Sequence, residues 1–452
     1  MTPLERRVAL SLAGIYGLRM LGLFMILPVF ALYGQELEHY TPFLVGMAIG
    51  AYGLTQALLQ IPFGMLSDRY GRKRIIAIGL VLFAAGSVLA AVSQSIYGVI
   101  AGRALQGSGA IAAAVMALNA DLTRETQRTK AMAIIGVSIG MSFALAIVLG
   151  PVLNHWIGVP GIFWITGALA LLGLVVLAVA VPRPATLRRH RDTEAVPDRF
   201  REVLADGQLL RLYAGIFLLQ LIMTASFVAL PLALRDRAGL EPAHHWIVYL
   251  PVLAASVVGL VPLIAAAERW RRMKLVFLAS VAALGLAEVG LGAYHDRLWA
   301  IVGLLVVYFT AFNVLEASLP SLVSKAAPPL AKGTAMGVYS SAQFLGAFLG
   351  GAAGGWLLGA YGLGGVFGAC AAVAAAWLGL AATMRRPSHL ASYLLPVGTL
   401  GEAEAQALAD RLMHVPGVAE AVVVSEEGVA YLKVDNRRLD EAALREFSAV
   451  EA

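Results

Sequence analysis

The sequence predicts an all-α membrane protein of two six-helix halves, followed by a small α+β domain at the C-terminus. The 452-residue chain has a mean hydropathy of +0.78 and only 14% charged residues, which is more apolar surface than one water-soluble core can bury. Apolar stretches of about twenty residues, the length that spans a bilayer as a helix, recur from residue 8 to residue 384. After residue 387 the composition changes.

Charges, Gly/Pro punctuation and polar turns divide the apolar part into twelve predicted membrane helices. Their bounds are 9–33, 42–66, 74–93, 96–120, 128–154, 159–181, 209–234, 244–267, 274–294, 298–323, 332–357 and 364–384. The first run is too long for a signal-peptide core and contains Arg19, so we expect it to remain as a span. The single cysteine, Cys370, excludes an internal disulfide.

The positions of Lys and Arg predict the orientation. With the N-terminus inside, nearly all basic residues of the connections fall on the cytoplasmic side, and Arg235, Arg237 and Arg297 are the exceptions. Cytoplasmic loops retain positive charge. We therefore expect a multi-pass protein in a lipid bilayer with both termini in the cytoplasm.

The chain divides into four predicted regions. A proline-rich, charged cytoplasmic linker at 182–208 separates six-helix halves at 1–181 and 209–387. The halves echo each other at a spacing of about two hundred residues, since "PFGMLSDRYGRKR" from Pro62 aligns with "PLIAAAERWRRMK" from Pro262. Duplicated six-helix halves are typical of transporters whose substrate binds between them near the bilayer midplane.

Residues 388–452 form the fourth region, with eleven acidic and five basic residues. Hydrophobic periodicity predicts a soluble ferredoxin-like βαββα domain without a clear final strand. The predicted elements are Tyr393–Val397, Glu402–His414, Val418–Ser425, Val429–Val434 and a helix capped by Asp440. A C-x-x-C is absent, so we expect no thiolate metal site. A regulatory module, self-association through the open sheet edge, and an inert tail all stay as alternatives.

The stretch "GMLSDRYGRKR" at 64–74 concentrates charge in an otherwise apolar segment. Gly64 permits a neighbouring helix to pack closely. Asp68 lies at a helix end, where the positive N-terminus of another helix can stabilise its charge. The positive-inside rule explains Lys73 and Arg74 but leaves Asp68 unexplained, so we interpret the stretch as functional.

Three motifs carry a resemblance to a known family. "GMLSDRYGRKR" resembles the loop motif between the second and third helices of the major facilitator superfamily, and "GRALQGSGA" at 102–110 resembles its fourth-helix arginine motif. Gly150-Pro151 resembles part of the fifth-helix motif of its drug/proton antiporters. With the appended domain, the whole chain resembles the bacterial YajR subgroup of inner-membrane transporters. The resemblance implies the twelve-helix major facilitator fold and a bacterial inner-membrane location.

The resemblance also implies a conformational switch, formed by Gly64, Asp68, Arg69, Gly71, Arg72 and Asp121. In this switch Asp68 meets the start of the eleventh helix near Gly333, and Arg72 pairs with Asp121. The contact joins the two halves on the cytoplasmic side and breaks when the transporter opens inward.

Ionisable groups within spans are functional candidates by default. Arg103 lies in the matched fourth-helix motif, which implies a role in coupling or in substrate charge balance. Glu316, with Asn313 one turn earlier, is the predicted proton-exchanging residue of the tenth helix. Glu288 is expected at the membrane interface. The first helix has Arg19 where many drug antiporters carry an acid.

The sequence predicts a transporter rather than an enzyme. It contains no G-x-x-x-x-G-K-[ST], so transport energy is expected from an ion gradient. We expect a small-molecule substrate, a proton gradient, no cofactor, no metal and no nucleic-acid partner. The predicted function is proton-coupled efflux by alternating access. The alternative is a transporter-derived membrane sensor that signals through the C-terminal domain.

Overall fold

The computed structural model describes residues 1–182, 199–269, 272–328, 331–385, 391–398, 400–425, 428–435 and 438–448. The helices are α1 (Pro3–Phe24), α2 (Leu27–Tyr33), α3 (Pro42–Tyr70), α4 (Arg72–Val92), α5 (Ile96–Ser108), α6 (Ala112–Asp121), α7 (Glu125–Ala180), α8 (Phe200–Ala205), α9 (Gly207–Leu232), α10 (His245–Arg269), α11 (Met273–Tyr294), α12 (Leu298–Ala326), α13 (Lys332–Ala382), α14 (Glu402–Met413) and α15 (Glu441–Arg445). The strands are β1 (Ala391–Pro396), β2 (Val418–Val424) and β3 (Val429–Val434). Residues 183–198 of the predicted linker lie outside the described residues.

Two of the membrane helices fold back on themselves. Within the described residues, ten helical segments are long and apolar enough to cross a membrane. In α7 and α13 the backbone departs from helical geometry at Gly158 (φ 68°) and Gly362 (φ 67°), a conformation that glycine adopts without steric cost. Each of these helices therefore supplies two antiparallel arms, and the ten segments make twelve passes. The predicted twelve-helix membrane fold is confirmed.

The bundle has two chemically different ends. We name the end where α3 meets α4 the basic end, because Arg72, Arg124 and Lys274 lie there. The other end, where α7 and α13 fold back, we name the opposite end. At the opposite end Trp156 is 81% exposed and Trp299 is 84% exposed. Exposed tryptophans near helix ends are typical of the membrane–water interface.

Two predicted helices are broken in the structure. The predicted span 96–120 is divided into α5 and α6, because the chain leaves the helix at Gly109, where a Cβ would collide with the backbone oxygen of Gly79. The predicted span 9–33 is divided into α1 and α2, and Pro28 stands in the first turn of α2, where its missing N–H costs no hydrogen bond. The break at Gly109 leaves the carbonyl of that residue available inside the bundle, where it accepts a hydrogen bond from Arg19.

Two lysines fasten corresponding helix ends in the two halves. Lys73 Nζ, in the first turn of α4, donates to the carbonyl of Val181 at the end of α7. Lys274 Nζ, in the first turn of α11, donates to the carbonyls of Ala382 (2.8 Å) and Met384 (2.6 Å) at the end of α13. A cation at a helix C-terminus complements its unsatisfied carbonyls. The positive-inside rule accounts for the charge of Lys73 but does not predict this contact.

The C-terminal domain has the βαββα order that the sequence predicts. Its three strands are antiparallel in the order β1-β3-β2. Asp440 caps α15 by accepting hydrogen bonds from the backbone N–H groups of Ala442 and Ala443. Leu395, Leu412 and Leu432 belong to its separate apolar core. Among the described residues β1 has β3 as its strand partner, so its other edge carries no strand.

Candidate functional site

A cavity of about 810 Å³ lies between the two halves. Its lining runs from Leu27 and Ile49 near the middle of the bundle to Asp68 and Gly333 at the basic end. Cavities that bind small molecules have volumes of roughly 300–1,000 Å³. The position and size of this one suit a substrate site shared by the two halves.

The bundle is closed at the opposite end by glycines. A Cβ built on Gly46 of α3 would collide with the backbone oxygen of Gly351 of α13, and a Cβ on Gly351 would collide with that of Gly46. A second set of glycines on α13 packs against α9, because a Cβ on Gly346 would collide with the oxygen of Phe217. The glycine-rich segment of α13 therefore contacts one helix from each half, backbone against backbone.

Arg72 is the centre of the switch motif at the basic end. Its side chain is 1% exposed and forms ion pairs with Asp68 and with Asp121, whose Oδ2 lies 3.2 Å from Arg72 Nε. Arg72 Nη1 also donates to Ser67 Oγ at 3.0 Å. Ser67 Oγ in turn donates to the carbonyl of Gly64, where a Cβ would lie 3.1 Å from that of Ala113. The motif thus ties α3, α4 and α6 together within the N-terminal half.

The rest of the motif lies at the surface. Gly71 ends α3 with φ 97°, and the exposed Arg69 guanidinium lies 5.5 Å from the ring centroid of Tyr70. Asp68 and Gly333 both line the cavity. Among the described residues the ion-pair partner of Asp68 is Arg72, so in this conformation the Asp68 carboxylate does not cap α13.

Two arginines are buried in the N-terminal half. Arg19 donates from Nη2 to Gln56 Oε1 (2.9 Å) and to the Gly109 carbonyl (2.8 Å). Arg103 donates to Gln106 Oε1 at 2.9 Å, and more weakly to the carbonyls of Ala48 and Ile49. Both guanidinium groups lie against the ring of Tyr52, with Cζ at 5.6 Å and 5.4 Å from its centroid. Arg103 lines the cavity, whereas Arg19 stands behind Tyr52.

Glu316 is the acid in the cavity wall of the C-terminal half. Its Oε2 accepts a hydrogen bond from Gln220 Nε2 of α9 at 3.0 Å, and its Oε1 accepts one from Gln343 Nε2 of α13 at 2.8 Å. Asn313, one turn earlier, donates to Ser256 Oγ of α10. Glu316 therefore links three helices through neutral donors that can hold it in either protonation state.

Glu288 is buried inside the protein, which the sequence-based expectation of an interfacial position did not include. It is 0% exposed and accepts a hydrogen bond from Ser226 Oγ of α9 at 2.6 Å. Ser226 Oγ also lies 3.9 Å from Cys370 Sγ. The residue faces α9 and α13 rather than lipid, and a hydropathy pattern fixes depth in the membrane but not this facing direction.

Gly150 and Pro151 lie within the first arm of α7. A Cβ on Gly150 would collide with the carbonyl of Met25, at the break between α1 and α2. The helix continues through Pro151, and its backbone departs from helical geometry at Gly158 instead. The glycine thus permits close packing of α7 against the break between α1 and α2.

Comparisons with known proteins agree with this architecture. The family model described as Major Facilitator Superfamily matches residues 12–351 and 245–405, and the model described as YajR YAM domain matches residues 401–446. The chain therefore belongs to the major facilitator superfamily and is a membrane transporter with an appended YAM domain.

Relatives in bacteria extend over most of the chain. The chain is 48% identical over 437 residues to "Inner membrane transport protein YajR" of Escherichia coli, which covers 97% of this chain and 96% of that protein. It is 27% identical over 350 residues to "Multidrug resistance protein MdtH" of Aeromonas hydrophila, covering 75% and 84%. A crystal structure of a bacterial homologue of the human lysosomal transporter Spinster, in an inward-facing and occupied conformation, superposes with a TM-score of 0.68 at 16% identity, over 85% of this chain and 98% of that one.

Proposed function

We propose that this chain is a proton-coupled secondary transporter that exports small molecules by alternating access. The observation that carries the proposal is the cavity between the two halves, which runs to the basic end and is shut by glycine packing at the opposite end. An ionisable residue, Glu316, stands in the wall of this cavity. In alternating access, a carrier exposes its substrate site to one side of the membrane at a time, so each state has one open end and one closed end.

The proposed orientation places the basic end and both termini in the cytoplasm of a bacterium. The distribution of Lys and Arg supports it. The cavity seen here is then accessible from the cytoplasm. In the proposed division of the chain, residues 1–181 and 209–387 are the two moving halves, residues 182–208 are the linker, and residues 388–452 are the cytoplasmic domain.

The switch motif is proposed to stabilise the other state, in which the basic end is closed. Asp68 and Gly333 lie on the same cavity, so closing that end brings the carboxylate toward the N-terminus of α13. A carboxylate at a helix N-terminus is stabilised by up to about 2 kcal/mol in a partly buried setting. Arg72 and Asp121 hold the carboxylate-bearing turn in place.

Glu316→Gln is expected to abolish the pH dependence of transport. The amide cannot take up or release a proton, but it can still meet Gln220 and Gln343 in the cavity wall. The measurement is flux of a panel of dyes and metabolites in proteoliposomes under an imposed pH gradient. Glu241→Gln serves as the control, because that side chain is 77% exposed at the opposite end. Wild-type pH-driven flux in Glu316→Gln would remove Glu316 from the coupling mechanism.

A sensor function is the second candidate, because the segment that leads from α13 to the C-terminal domain is hydrogen-bonded to the membrane bundle. The backbone N–H of Arg385 donates to Gln208 Oε1 at 3.0 Å, and Arg211 Nε donates to Thr383 Oγ1 at 2.9 Å. Both contacts join the end of α13 to the first turns of α9, the helix that also holds Glu316 through Gln220. A displacement of this segment by the C-terminal domain would therefore be transmitted through α9 to Glu316 in the cavity wall.

Truncation after residue 387 is expected to leave an inserted, monodisperse membrane bundle, because all twelve passes and the fastening contacts of α13 lie before that residue. The measurement is size-exclusion chromatography of the membrane-extracted protein, followed by the flux assay. Flux that persists without the domain favours the transporter. A truncated chain that does not insert would make the domain an integral part of the fold.

A further inference from the structure

The N-terminal half holds two buried cations next to the cavity. Arg19 is 0% exposed and Arg103 is 2% exposed. The groups that accept their hydrogen bonds are carbonyls and the side-chain amides of Gln56 and Gln106, all of them neutral. The nearby titratable side chains are the phenols of Tyr16 and Tyr52. Among the described residues no carboxylate contacts either guanidinium.

Part of this donor capacity is unused. A guanidinium has five N–H donors, and Arg19 makes both of its hydrogen bonds from Nη2. Its Nε and Nη1 are buried without an acceptor among the described residues, as is the hydroxyl of Tyr52 between the two arginines. Removing a charged group from water without a counter-ion costs several kcal/mol. The neutral acceptors offset only part of that cost.

The cavity wall that faces these arginines, formed by the C-terminal half, contains a carboxyl group instead. Glu316 lies across the cavity on α12, where it accepts hydrogen bonds from two amides and contacts no cation among the described residues. Positive charge on one wall and a carboxyl on the other therefore face the same 810 Å³ space. Much of the lining between them is soft and apolar, consisting of Met20, Met116, Met223, Met336, Phe143 and Phe312. Methionine and phenylalanine side chains adapt to flat or irregular apolar bodies.

We propose that the cavity binds an amphipathic organic anion, whose carboxylate or sulfonate group is attracted to the wall formed by Arg103, Tyr52 and Arg19. The apolar body of the anion lies on the methionine and phenylalanine lining. The bound anion supplies the negative charge that the buried arginines lack. This inference names the substrate class of the proposed transporter and rests on that function, but binding itself requires no gradient.

The test compares two probes with one ring system and opposite charge, 2-naphthoate and (2-naphthyl)methylammonium. Their affinities for the full chain in lipid nanodiscs are measured by calorimetric titration at pH 7, with empty nanodiscs as the reference. We expect the anion to bind at least about tenfold more tightly than the cation, since one favourable charge contact of this kind changes affinity by about that factor. Equal binding of the two probes, or preference for the cation, would overturn the proposal without any variant.

Two variants at Arg103 test the assignment to this wall. Arg103→Gln is expected to lower the affinity for 2-naphthoate about tenfold and to leave that for the ammonium probe unchanged or higher, whereas Arg103→Lys is expected to keep the preference for the anion. Arg7→Gln is the control, because it removes one positive charge from the exposed surface of α1. An equal loss for both probes in Arg103→Gln, with no rescue in Arg103→Lys, would show a structural role for Arg103 only. A chain that binds the anion but moves no substrate would contradict the transport proposal and leave this one standing.

Discussion

Replacing Gly351 with leucine is expected to open the cavity at the opposite end and to close it at the basic end. At this position any Cβ collides with the backbone oxygen of Gly46. Because the Cβ position is fixed by the backbone, no change of rotamer relieves this collision. Overpacking of this kind costs roughly 1–3 kcal/mol, which changes the ratio of two states by about five- to 150-fold. Only the state in which α3 and α13 touch here is penalised.

The measurement uses a cysteine at Ala347, which lines the cavity, in a Cys370→Ala background. A membrane-impermeant thiol reagent is added to each side of oriented vesicles. In the parent the cysteine should react from the side of the basic end, and with leucine at position 351 it should react from the other side. Gly368→Leu is the matched control, because that glycine of α13 has nothing within 4 Å of a built Cβ. The same accessibility in the Gly351 variant and in its parent would show that this contact does not govern access.

The sequence predicted the passes but not their internal breaks. The number of long apolar stretches predicts the number of membrane passes, because each pass must span a bilayer of fixed thickness. The break at Gly109 depends on which backbone approaches that position from another part of the chain, and periodicity contains no such information. Yet the break at Gly109 supplies a carbonyl for Arg19. A charged residue within a span needs buried acceptors, and Arg19 finds one of its acceptors at this irregular backbone.

The part of the candidate site that lies at the loop motif could be predicted from the sequence. The family resemblance of the loop motif implied a pairing of Arg72 with Asp121, and the structure places their side chains in contact. By contrast, Glu288 was expected at the interface, because its depth along α11 is visible in the sequence but the direction in which it points is not. The amide partners Gln220 and Gln343 lie more than a hundred residues apart. Only the packing of α9 and α13 against α12 brings them to one carboxyl.

Arg72→Met is expected to destabilise the N-terminal half more than other single changes in the loop motif. Asp121 has a side chain that is 0% exposed, and among the described residues Arg72 forms an ion pair with it. Removing one member of a buried pair costs about 3–5 kcal/mol, because the remaining charge loses an attraction that offsets the cost of burying it. Asp68 is 25% exposed and can be hydrated, so Asp121 accounts for most of the loss.

Thermal unfolding in detergent, followed by tryptophan fluorescence, measures the effect. Arg69→Met is the matched control, because Arg69 belongs to the same motif but is exposed and stacks on Tyr70. The double variant Arg72→Met/Asp121→Asn should recover part of the lost stability, since a neutral amide costs less to bury than a carboxylate that has lost the Arg72 guanidinium. If the two methionine variants unfold at the same temperature, or if Asp121→Asn brings no recovery, the ion pair is not what holds α4 to α6, and Ser67 with its hydrogen bond to Gly64 becomes the feature that fixes this end of α3.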